Sequence, residues 1–258
     1  MSGKIVRRLK PEEEELQRKR DQLAAIRTTL AERELDLVDL RTQLAAFEGR
    51  YLRQVGALYA EMDEWKARIA ELQARLDPSA ASKAKEAREQ ARQTYEDAHG
   101  QASESPYFVP SPELKRVYRE AAKRIHPDFA ADPIDSERRT RFMAEANRAY
   151  KSGDADALQR IIEEYEDGVE NVKGEGIGAE LIRIIRQISE AKERTSAIQL
   201  EMAALQGSEI AKLKQDAEEA KQQGRDLLDE LATTVRQRIE SLKNTFEKLS
   251  GEAKHSDG

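Results

Sequence analysis

Apolar residues recur along the first part of the chain at every seventh position: Leu9, Leu16, Leu23, Leu30, Leu37, Leu44, Tyr51, Leu58, Trp65 and Leu72. A second set accompanies them, first Ile26, Leu40 and Phe47 and then, shifted, Val55, Met62, Ile69 and Leu76. A heptad stripe sustained this long predicts a coiled-coil helix over residues 9–76. Pro11 suits the first turn of that helix, and Glu12 to Glu15 lie where its amide-rich end favours negative charge. The shift between the two sets near Tyr51 implies a change of partner face, and Gly49 and Gly56 permit local bending there.

The middle of the chain changes period. Asp77-Pro78-Ser79 reads as a helix stop and restart, and residues 80–99 form an alanine-rich packing helix with Ala84, Ala87, Ala91, Tyr95 and Ala98 on one face. Gly100 to Pro112 reads as a connector. Ser111 then caps a helix with Pro112 in its first turn, whose apolar face is Leu114, Val117, Tyr118, Ala121 and Ile125. Its opposite face is basic: Lys115, Arg116, Arg119, Lys123 and Arg124. Pro127 stops this helix at His126, and a loop leads to Ser136 as the cap of a second helix over Glu137–Tyr150. After a Ser152-Gly153 break a short helix follows from Ala155 to Tyr165, so residues 112–166 read as one compact helical unit with Leu158, Ile161, Ile162 and Tyr165 closing its core. Asp167 to Gly178 reads as a hinge. A C-terminal coiled-coil region follows over 178–250, with Gly207-Ser208 and Gly224 interrupting its regularity. The two flanking regions can run antiparallel within one chain, with self-association as the rival arrangement.

Composition fits this pattern. Charged residues make up 36% of the chain and aromatic residues 5%, with a mean hydropathy of −0.81, which leaves little for one broad core and suits helices that each bury a narrow stripe. The formal charge of −6 comes from 44 basic and 50 acidic residues interspersed along the chain, so broad binding to a nucleic-acid backbone is disfavoured. There is no cysteine, which excludes disulfides and thiol chemistry and fits the cytoplasm. The pattern shows neither a secretory signal nor an apolar run of about eighteen residues, so no membrane insertion is expected.

The run LKRVYREAAKRIHPD, Leu114 to Asp128, resembles helix II and the loop of a J-domain, the module by which J-proteins engage heat-shock ATPases of the DnaK type. His126, Pro127 and Asp128 match the family's loop tripeptide without substitution. Downstream, MAEANRAY from Met143 to Tyr150 resembles the family's helix III. Asn147, Ala149 and Tyr150 match directly, while Met143 stands where Phe is usual and Ala146 where Ile is usual. The family's helix I is not evident before this unit, and the alanine-rich helix is a candidate replacement. The resemblance implies a core of Leu114, Val117, Tyr118, Ala121, Ile125, Met143, Ala146, Ala149 and Tyr150. It also implies a chaperone-binding loop at His126-Pro127-Asp128, with the basic helix face steering the encounter toward an acidic surface. In this reading Pro127 sharpens the helix exit and displays His126 and Asp128, and Asp128 accepts a charge-assisted bond from a partner arginine.

Catalysis is not expected. His99, His126 and His255 lie in separate contexts, and no metal-ligand spacing, phosphate loop or nucleophile elbow occurs; KGEGIG at 173–178 lacks the Lys-Ser/Thr that a phosphate loop needs. No cofactor is expected either. The fold expected is all-α, with long coiled-coil helices flanking a compact J-domain-like insert. The function expected is that of an adaptor co-chaperone, with a DnaK-type ATPase at the loop and an unidentified client or assembly on the coils. The alternative is a coiled-coil scaffold that keeps the insert as structure.

Overall fold

The computed structural model describes residues 10–100, 108–167 and 176–256, and these form an all-α fold with no β-strand among them. Leu9, most of the expected connector and most of the expected hinge lie outside the described residues. The chain divides into two compact units, one of Met1–Thr42 with Phe108–Gln206 and one of Gln43–Tyr107 with Gly207–Gly258. No helix among the described residues is long and apolar enough to cross a membrane.

In the first unit, α1 (Pro11–Tyr51) contributes its N-terminal portion and α7 (Ile177–Gln206) lies against it. Leu16, Leu23, Leu30 and Leu37 pack with Ile184, Ile188, Ala191 and Ile198. Arg20 pairs with Glu180, Glu34 with Arg194 and Arg41 with Glu201, each pair 160 residues apart. Because the positions advance together on both helices, α1 and α7 run parallel within one chain, which corrects the antiparallel expectation. The parallel register is the one in which the two apolar stripes coincide and every one of these flanking charges meets its opposite.

Between them in sequence lie α4 (Pro112–Ile125), α5 (Pro133–Ser152) and α6 (Ala155–Asp167), packed as a three-helix unit. Ser111 caps α4 by accepting from the Leu114 N–H at 3.0 Å, with Pro112 at the first position. The start of α5 differs from the expectation at Ser136. Asp132 is the cap, accepting from the Asp135 N–H at 2.9 Å with Pro133 next, because this pair supplies both the acceptor and the preset φ one turn earlier. Gly153 ends α5 with φ 76°, and the N–H groups of Gly153 and Asp154 close on the carbonyls of Tyr150 and Ala149.

The core of this unit joins Leu114, Val117, Tyr118, Ala121 and Ile125 to Met143, Ala146, Ala149 and Tyr150, with Leu158, Ile161, Ile162 and Tyr165 closing it. Phe142 also belongs, edge-on to Tyr165 at 5.6 Å. The helix that packs on this core is α1, through Ala31, Leu35 and Val38. One side of α1 therefore faces the three-helix unit while its leucine stripe faces α7.

In the second unit the buried stripe continues beyond a π-helical turn, Leu52–Gly56, into α2 (Ala57–Leu76). A π-turn inserts one residue into the helical ladder, so the step from Phe47 to Val55 lengthens by one and Val55, Met62 and Ile69 become the buried positions. The shift near Tyr51 has this physical form. Gly56 is buried at the turn, where an added Cβ would lie 3.2 Å from Leu52 Cδ2 and 3.8 Å from Ala98 Cβ. Asp77 ends this run by accepting from the Ser79 N–H at 2.9 Å, and α3 (Ala81–Gly100) turns back along α2. Arg88 reaches Glu71 and Glu64, and Thr94 reaches Asp63, so the two helices are antiparallel. Ala84, Ala91 and Ala98 are buried, whereas Tyr95, read with that face, turns outward and stacks on His99. α8 (Glu209–Gln222) and α9 (Leu227–Ser256) complete this unit, with Trp65 edge-on to Phe246 at 5.7 Å.

Candidate binding site at the bend between α4 and α5

The chain leaves α4 at His126, makes one 3₁₀ turn over Pro127–Phe129 and enters α5 at Pro133. The last carbonyls of a helix have no partner within it, and here Arg139 of α5 supplies one. Its guanidinium donates to the carbonyls of Arg124 at 2.8 Å and His126 at 3.3 Å, while Asp135 holds it at 2.8 Å. Asp135 also accepts from the Ala131 N–H at 2.9 Å, so one carboxylate on α5 ties down both ends of the bend.

The sequence reading displays His126 at the surface, but its side chain is only 3% exposed and points inward. The Asp128 N–H donates to Nδ1 at 3.1 Å, which makes Nδ1 the acceptor and leaves the ring proton on Nε2. Nε2 then donates to Glu34 of α1 at 3.2 Å. Arg194 of α7 donates to the same Glu34 oxygen at 2.7 Å and reaches Glu201 at 3.1 Å. Burial pushes the Glu34 carboxyl up, but the hydrogen bonds from His126 and Arg194 together with their charges outweigh it and hold the group below the ordinary carboxylate range. Burial likewise works against the Arg194 charge, and the contacts with Glu34 and Glu201 more than restore it.

Two further contacts hold the bend. Gln187 of α7 donates to the carbonyl of Phe129 at 3.0 Å and to that of Ala130 at 3.4 Å. Phe129 is buried in the stripe between α1 and α7, with the Arg27 guanidinium 4.6 Å from its ring centroid. Asp128 is different. Its side chain is 22% exposed, its Oδ2 finds no hydrogen-bond donor in the protein, and burial raises its carboxyl above the ordinary aspartate value. Pro127, Asp128 and Ser136 line a cleft of about 520 Å³ whose far wall is Arg183, Arg186 and Glu190 of α7.

The basic face of α4 is less free than its sequence suggests. Lys115 pairs with Asp39 of α1 at 2.8 Å, Arg116 with Glu113 at 2.7 Å, and Arg124 with both Glu120 and Glu166. Arg119 and Lys123 make no ion pair among the described residues. Beneath this face the Tyr118 hydroxyl donates to Asn147 Oδ1 at 2.7 Å, a second polar tie between α4 and α5 beside Arg139–Arg124, and Tyr118 lies edge-on to Tyr150 at 4.9 Å.

Sequence reasoning missed Glu34, Gln187, Arg194, Phe129 and the Asp135–Arg139 pair. A signal for the first three exists. Glu34 falls between Leu30 and Leu37 on the apolar stripe of α1, and Gln187 and Arg194 fall seven apart beside the Ile184, Ile188 and Ala191 stripe of α7. A polar residue on an apolar face needs a partner, and here the partner is the bend.

No protein-family model, curated protein or solved structure matches this chain.

Proposed function

We propose that the chain is an adaptor co-chaperone: a J-domain-like unit, α4 to α6, recruits and stimulates a DnaK-type chaperone ATPase through the His126-Pro127-Asp128 bend, while coiled-coil arms formed by the heptad stripes bind a client or self-associate. The observation that carries this reading is the state of Asp128. A carboxylate whose side chain is 22% exposed at an open cleft, whose buried Oδ2 has no internal hydrogen-bond donor and whose bend is braced from α5, is costly to keep for stability alone and suits a donor brought by a partner. The sequence resemblance supplies the partner's class.

With three of the five basic residues on α4 already paired to acids, electrostatic steering rests chiefly on Arg119 and Lys123. The role is binding rather than bond-making, and the chain itself is assigned no catalysis and no cofactor. The proposal places it in the cytoplasm, in keeping with the absence of cysteine. The test is single-turnover ATP hydrolysis by a purified DnaK-type chaperone with the full chain added. Stimulation is expected, and Asp128→Asn should abolish it; equal stimulation by both proteins removes the proposal.

One observation favours a second reading. A His126 ring enclosed between α1 and the bend, with both nitrogens bonded internally, is what a scaffold would use to fasten its insert. In that case the chain is a coiled-coil scaffold, and neither the wild type nor any variant of the bend changes the chaperone's ATPase rate.

A further inference from the structure

The proposed function needs a tripeptide that a partner can reach, and the geometry presents one whose histidine is closed in. The groups that close it belong to α1 and α7. Glu34 accepts a hydrogen bond from the imidazole N–H, Arg194 fixes Glu34, and Gln187 donates to two carbonyls immediately after the tripeptide. Glu34 stands on the apolar stripe of α1 and Gln187 and Arg194 beside that of α7, positions where an apolar side chain would pack without any need of a partner. Such polar positions lower the stability of a helix pair relative to leucine or isoleucine, and what they add is a specific, breakable attachment to the bend.

We infer that Glu34 and Arg194 form an autoinhibitory clasp: the parallel α1/α7 pair holds the bend shut, and loosening α7 from α1 releases His126 to the chaperone. This regulation rests on the function proposed above. The clasp links the arms to the bend directly, because the residue that grips His126 also pairs with Arg194 across α1 and α7. A target that binds the arms and weakens the Glu34–Arg194 pair therefore opens the bend, which couples target capture to chaperone recruitment through one shared carboxylate. Asp128, already partly open to the cleft, stays accessible in the closed form and gives the closed chain only weak activity.

The test separates the clasp from the chaperone reading. Hydrogen exchange of the full chain is followed at the amides of Asp128, Phe129 and Ala130, which donate to His126 Nδ1, the His126 carbonyl and the Pro127 carbonyl. Three variants are compared with the wild type: Glu34→Gln and Arg194→Gln, which break the clasp, and Ile162→Val, which loosens the α4–α6 core without touching it. The clasp predicts roughly tenfold faster exchange at these amides in both clasp variants and little change in Ile162→Val. In the ATPase assay both clasp variants should stimulate the chaperone severalfold more than the wild type, and adding Asp128→Asn should cancel the gain. Faster exchange with no stimulation by any variant keeps the clasp as a fastening and overturns the chaperone reading. Exchange unchanged in the clasp variants, or raised equally by Ile162→Val, overturns the clasp.

Discussion

Glu34→Gln isolates the charge at the centre of the site while keeping the shape of the side chain. In the wild type Glu34 is 9% exposed at its side chain and accepts from a guanidinium at 2.7 Å and an imidazole at 3.2 Å. A hydrogen bond to a charged group contributes about 1.5–3 kcal/mol. The full value is not lost, because the glutamine oxygen still accepts one bond, Arg194 keeps Glu201, and Arg194 at 31% side-chain exposure is partly screened by solvent. The expected loss at neutral pH is therefore about 1–2 kcal/mol. Its pH dependence follows from the depressed carboxyl of Glu34. The folded value lies below the unfolded one, so the contribution is complete above about pH 4.5 and disappears as pH falls through the folded value. Glutamine does not titrate. Urea unfolding followed by helical circular dichroism should show a gap between the two proteins at neutral pH that narrows below about pH 4.5 and closes in stronger acid. Equal stability at neutral pH, or a gap that stays constant on acidification, refutes the reasoning.

Asp128→Asn should behave in the opposite sense. Burial raises this carboxyl in the folded protein, so its stabilising contribution exists below the ordinary value of 3.8 and is lost as pH rises through the folded value. The variant should then match or exceed the wild type at neutral pH by up to about 1 kcal/mol, with the advantage gone in strong acid; a clear loss at neutral pH would show that Asp128 has an internal donor. Tyr118→Phe removes the hydroxyl that donates to Asn147 and should lower stability by about 0.5–1.5 kcal/mol in urea titration, with an unchanged result showing that water serves Asn147 equally well. Gly153→Ala places a Cβ at φ 76° and should lower the melting temperature by an amount equivalent to about 1 kcal/mol, whereas a neutral result would mean that α5 ends in another conformation.

The parts of this molecule that were legible in its sequence are those governed by local rules. The buried leucine repeat from Leu16 to Leu44, the Ser111-Pro112 start of α4, the stop at Pro127 and the break at Gly153 each follow from period, capping or φ, and each is found in place. The change of stripe near Tyr51 was visible too, although its cause, a π-turn that absorbs one residue, was not. Pairing was the opaque part. Antiparallel and parallel partners have the same heptad spacing, and only the match of Arg20, Glu34 and Arg41 to Glu180, Arg194 and Glu201 selects the parallel one. The candidate site was half legible for the same reason. The tripeptide and the core beneath it lie within one stretch of chain, but the residues that decide how far His126 is exposed lie on α1 and α7, far away in sequence.

That distribution bears on what the bend is for. A histidine fastened only as structure could be fastened from α5, where Asp135 and Arg139 already brace both ends of the turn with short, local bonds. The contacts from α1 and α7 come on top of that brace and use charged groups on stripes where leucine or isoleucine would stabilise the helix pair more simply. A brace that fixes the shape of the turn and a clasp that governs access to it are separable tasks, and here they fall to different helices. Breaking Asp135–Arg139 should therefore deform the bend in every state, whereas breaking Glu34–Arg194 should leave its closed shape intact and raise only how often the turn opens and His126 can be reached.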